Sequence, residues 1–137
     1  MDERKLKHLE LIQGVINRLA GNSFLVKGWS VLLVSALLTL AARRQPDAGA
    51  GLLGIPFLPA LIFWGLDGYF LWQERLYRAL YNQVRVQPED SIDFSMGTEQ
   101  FKTGFEAKTW PKAIFSVTLI LFHGAVLVAI LAVAYLS

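Results

Sequence analysis

The sequence contains no cysteine. That excludes a disulfide framework, a thiolate metal site and a cysteine nucleophile, and it leaves the redox compartment open. Charge is scarce as well. Asp, Glu, Lys and Arg make up 18% of the 137 residues, where a soluble domain typically carries about 25%. The two histidines, His8 and His123, lie far apart, and no His-Glu pair stands at ligand spacing, so no metal is expected. The chain has no phosphate-binding glycine loop, no Gly-x-Ser-x-Gly elbow, and no Ser-Lys or two-aspartate intramembrane protease pattern. An enzyme is therefore not expected, and neither is a cofactor. A formal charge of +2 is too small to point to nucleic acid. With no internal repeat, secondary transport is disfavoured too.

Apolar residues fill the space that charge leaves. They supply 54% of the chain, and mean hydropathy is +0.42. Three runs approach the roughly 20 apolar residues that cross about 30 Å of hydrocarbon. They cover 24–42, 52–72 and 113–136. The second holds Asp67 and the third His123. The expected fold is all-α: one integral membrane helical bundle over 1–137 with three transmembrane helices. The charged opening segment does not read as a signal peptide, so the first apolar run is expected to act as the insertion signal.

Basic residues set the expected orientation. Arg4, Lys5, Lys7 and Arg18 precede the first run and Lys27 stands at its start, and Arg75, Arg78, Arg85, Lys102, Lys108 and Lys112 precede the third. Only Arg43 and Arg44 lie between the first and second. The positive-inside rule then places the N-terminus in the cytoplasm and the C-terminus outside. The outer connection is a short Gly- and Ala-rich turn near Arg43 to Gly51 with Pro46.

The cytoplasmic parts carry their own patterns. Leu6, Leu9, Ile12, Ile16 and Leu19 recur at helical steps, which predicts an amphipathic helix over 1–21. Gly21 reads as its stop, with Asn22 or Ser23 capping the next helix. The apolar face can lie on the inner leaflet or pack on another helix. A partner for packing is at hand, because Leu76, Leu80 and Val84 continue the second run to residue 86 with no Gly or Pro from Tyr69 to Val86. Span two and its extension therefore read as one helix of about 30 residues, stopped by Pro88. From Gln87 to Pro111 the chain is turn-prone. It shows at most a short strand pattern at Ile92, Phe94 and Met96, and Phe101 and Phe105 stand four apart. Trp110 and Pro111 mark re-entry into the membrane.

The candidate site is a set of polar residues in the apolar runs: Asp67, Lys27, His123 and Thr39. Asp67 lies about 7 Å inside the interface marked by Trp72, level with Lys27. Three roles are open to it. It can pair with Lys27 or bond Ser30 to lock spans one and two, line an aqueous vestibule, or relay protons. His123 lies about 18 Å from Pro111, level with Thr39. It either hydrogen-bonds Thr39 or faces a pore. On these counts Asp67 and His123 differ in depth by about 13 Å, too far for a dyad within one subunit. Gly65 with Gly68, Ala125 with Ala129, and Ser35 with Thr39 offer close-approach faces, so a homo-oligomer in the lipid bilayer is expected.

The segments 7–36 (KHLELIQGVINRLAGNSFLVKGWSVLLVSA), 63–81 (FWGLDGYFLWQERLYRALY) and 93–96 (DFSM) resemble a family of small bacterial three-span membrane proteins. The resemblance implies the bacterial inner membrane and carries over no activity. Two functions are expected. One is a homo-oligomeric assembly that forms or gates a membrane path or perturbs the membrane. The other is an anchor or adaptor that recruits a cytoplasmic protein partner through residues 87–110.

Overall fold

The computed structural model describes residues 3–43, 54–104 and 106–136, and these are all-α, with no strand among them. The elements are α1 (Glu3–Ala42), α2 (Phe57–Val86), α3 (Trp110–Ile114) and α4 (Val117–Leu136), with single 3₁₀ turns at Glu89–Ser91 and Glu99–Phe101. Residues 44–53, where most of the turn expected near Arg43 to Gly51 falls, and Phe105 lie outside the described residues.

The joint expected at Gly21 does not occur. α1 is one helix of 40 residues, about 60 Å long. Its inward stripe explains why. Leu9, Ile12, Ile16, Val26, Ser30 and Val34 are all buried and follow one another at helical spacing with no change of phase near Gly21. Gly21 itself faces open space. A glycine stop is a weak local signal, and a continuous packing face overrides it.

That stripe packs antiparallel on α2, which is also unbroken, over 30 residues. At one end Leu9, Ile12 and Ile16 form a core with Leu80, Val84 and Ile92, with Met96 and Phe101 packed against it. At the other end Val34 meets Ala60 and Ile130 of α4. Lys5 of α1 donates to the carbonyl of Gln87 at 2.9 Å, tying the start of α1 to the end of α2. α2 ends where Gln87 turns extended, the conformation a following proline imposes. Among the described residues, the connection between α2 and α3 carries no strand. Its apolar residues dock on the α1–α2 pair instead, so the alternation at Ile92, Phe94 and Met96 reflects docking and not sheet pairing.

The third apolar run is interrupted. α3 ends at Ile114, and α4 starts afresh at Val117 after Phe115 and Ser116. The Ser116 hydroxyl accepts the Leu119 N–H at 3.4 Å, an N-cap arrangement that satisfies one of the free donors of the new helix. α1 and α4 are long and apolar enough to cross a membrane. α2 does not meet the same test: it carries Asp67 midway and Glu74, Arg75, Arg78 and Arg85 beyond.

Candidate functional site

The polar residues of the apolar helices converge on Asp67. Its side chain is fully buried, and two helices, α1 and α4, supply its partners. Lys27 of α1 places Nζ 2.7 Å from Oδ2, and the same ammonium donates to Ser23 Oγ at 2.8 Å. Ser23 donates in turn to Asp67 Oδ1. His123 of α4 brings Nε2 within 2.8 Å of Oδ2. Ser23 and Lys27 are four apart on α1, so helical geometry alone puts both on the face that meets α2. With the imidazole as its Nε2–H tautomer, the cluster sums to zero charge. A buried ion pair is tolerated under that condition when its remaining lone pairs are also bonded.

Aromatic rings complete the enclosure. The Trp64 ring lies nearly parallel to His123, 9° off with centroids 5.8 Å apart, and its Nε1 donates to the Ile114 carbonyl at 3.0 Å. Phe122 meets His123 edge-on and receives the Lys27 ammonium over its face at 5.9 Å. A second layer pins α3. Trp110 Nε1 donates to the Gly65 carbonyl at 3.0 Å, Trp72 Nε1 donates to the Lys108 carbonyl at 2.9 Å, and the two indoles stack. α3 comes this close because residue 68 is glycine. A Cβ there would stand 2.5 Å from Ile114 Cγ1 and 3.3 Å from Ile114 Cα. Access to the cluster is through Lys27, whose side chain is 19% exposed and lines a cleft of about 300 Å³ with Ser23, Glu74, Arg75 and Ser116.

Of the four residues the sequence singles out, the structure brings together Asp67, Lys27 and His123 and leaves Thr39 apart. The Thr39 hydroxyl donates to the carbonyl of Ser35 in its own helix at 2.8 Å. The expected His123–Thr39 bond is absent, and the depth gap between Asp67 and His123 does not exist. The error lies in measuring depth from Pro111 along one straight helix. α3 crosses α2 level with Gly65 and Gly68 and gains no depth, so His123 is only six residues into α4. Ser30 is buried with its hydroxyl unpartnered, and it does not bond Asp67. Ser23, which the sequence offers with Asn22 as a helix cap, and Trp64 both belong to the site. The i, i+4 spacing of Ser23 and Lys27 was the available signal for the first. For Trp64 the sequence offered only its place one turn before Asp67.

As a set, these groups tie α1, α2 and α4 together. Among the described residues no group of three His, Cys, Asp or Glu side chains is placed to hold a metal ion. The fold and the site thus define an all-α protein whose apolar helices are joined by a buried Asp–Lys–His–Ser cluster, and two of those helices are suited to a membrane. Comparison with protein-family models, with curated proteins and with solved structures gives no match.

Proposed function

We propose that the chain is a three-span inner-membrane anchor and adaptor, with its N-terminus cytoplasmic and its C-terminus periplasmic. In this reading α2 crosses the bilayer along its first half, covered there by α1 and α4, and the buried cluster is the lock between spans. The observation that carries the reading is the complete burial of Asp67 among partners from its own chain. A carboxylate satisfied in this way is not free to line an axis shared between subunits.

The adaptor surface lies on the head formed by the start of α1, the end of α2 and the connection after it. Phe94 takes φ +58° there, a left-handed conformation that costs a non-glycine residue about 1–3 kcal/mol. Its ring meets His8 edge-on at 5.4 Å. Beside it, Leu11 and Met96 line a groove of about 480 Å³ with Glu3 and Lys7 at its rim. Leu11 and Phe94 are exposed, and outside a membrane such a patch fits a protein partner better than solvent.

A photo-crosslinking amino acid at position 94 or 11 tests this in cells. A discrete adduct lost on Lys7→Glu is expected, together with no ion flux from proteoliposomes above protein-free vesicles. Flux without an adduct would replace the adaptor by the homo-oligomeric path, a reading favoured by the cleft that brings water to Lys27.

A further inference from the structure

A cleft on the other side of α2 lies outside the buried cluster and the adaptor surface. It holds about 790 Å³ between α2 and the segment that leads into α3, within the range of ligand sites at about 300–1,000 Å³. Its lining is strongly cationic. Arg75 and Arg78 stand one turn apart on α2, Lys108 and Lys112 face them from the other wall, and Glu106 is the one acid in the lining. Ala79, between the arginines and the next turn, leaves the floor open.

These cations are largely uncommitted. Arg78 reaches Glu74 only at 3.4 Å and is mostly exposed. Lys112 donates to the Ala107 carbonyl. Arg75 and Lys108 have no side-chain partner among the described residues. Four like charges facing one cavity repel one another unless an anion sits between them. The backbone at Lys108 is nonetheless held in place. The Lys108 N–H bonds the Phe101 carbonyl at 2.8 Å and its own carbonyl is held by Trp72, so the chain there is set before any ligand arrives.

We infer that this cleft binds a phosphate-bearing anion. Two arginine forks on one wall and two ammonium groups on the other match the oxygens of a phosphate ester or diphosphate. The inference does not rest on the adaptor reading, because a soluble phosphate reaches the cleft whether or not α2 spans a bilayer. A lipid headgroup supplies the same chemistry, since the cleft adjoins the stacked Trp72–Trp110 pair, a ring type that sits at headgroup level.

The test uses the full chain, in neutral detergent with inorganic pyrophosphate and in phosphatidylcholine nanodiscs with graded phosphatidylglycerol. A saturable rise in melting temperature with at least one probe is expected. Arg75→Gln with Lys108→Gln should raise its half-saturating concentration at least tenfold. Lys7→Gln with Arg18→Gln removes the same charge elsewhere and should change it less than twofold. A response to pyrophosphate assigns a soluble phosphate, and a response to phosphatidylglycerol alone assigns a lipid headgroup. No saturable response to either, or equal losses in the two double variants, overturns the site. Should Arg75→Gln with Lys108→Gln not fold, Lys108→Gln alone should weaken binding at least threefold, and unchanged binding would refute the proposal.

Discussion

Removing Lys27 tests the buried cluster directly. In Lys27→Met, Asp67 keeps Ser23 and His123 as donors but loses the ammonium 2.7 Å from Oδ2. Breaking one side of a buried pair commonly costs about 3–5 kcal/mol. Because two donors remain and the cleft beside Lys27 admits water, the loss should fall at about 3 kcal/mol. Lys27→Met with Asp67→Leu removes the stranded carboxylate. What remains is the His123 ring nitrogen without its acceptor, an unsatisfied buried group worth about 1–3 kcal/mol. The double variant should therefore be more stable than Lys27→Met, and adding His123→Leu should bring it closer still to the parent. Thermal and denaturant melts of the parent, these three variants and Asp67→Leu alone in one detergent measure this, with the coupling taken from the Lys27–Asp67 mutant cycle. If Lys27→Met melts with the parent, or the double variant is the less stable, the cluster does not hold the helices together.

Gly68→Ala should destabilise by about 1–3 kcal/mol through overpacking, since its methyl group meets Ile114 at both side chain and backbone; a melt matching the parent would mean that α3 does not lie on α2. Trp110→Phe keeps the ring but loses the bond to the Gly65 carbonyl, and should cost about 1 kcal/mol in the same assay. Ile12→Ala opens a cavity in the core of the head, where Ile12 is fully buried, and should cost about 2–5 kcal/mol by denaturant unfolding. The chain has no cysteine of its own, so single cysteines report topology cleanly. Positions 47 and 137 should label from outside whole cells and position 89 should not; external labelling at 89 would reverse the orientation.

Hydropathy made the apolar helices and the long reach of α2 legible, because both depend only on composition and on the absence of Gly and Pro from Tyr69 to Val86. The Asp67–Lys27 pair was legible for a related reason: each residue sits a few positions from a tryptophan, which serves as a depth mark. The partnership with His123 was hidden by a backbone event. Nothing in Ile114–Phe115–Ser116 breaks a helix strongly, and the break is stabilised by tertiary bonds from Trp64 and Trp110 that no local pattern encodes. α4 is apolar all round, so no inward face could be read from its sequence. Thr39 misled for the opposite reason. A hydroxyl in an apolar run looks as if it needs a partner on another helix, yet the carbonyl one turn back satisfies it.

The continuity of α1 makes it a lever. Ser23 and Lys27 lie close to the middle of its 40 residues, so the buried cluster divides α1, together with α2 packed on it at both ends, into two arms of about 30 Å. A tilt of about 5° about that fulcrum carries each tip roughly 3 Å, in opposite directions. Force on the Phe94 groove, which rests on the first turns of α1, would thus reappear as lateral movement of Thr39 and Ala42 at the far end. A helix jointed at Gly21 would have absorbed the same force in a bend.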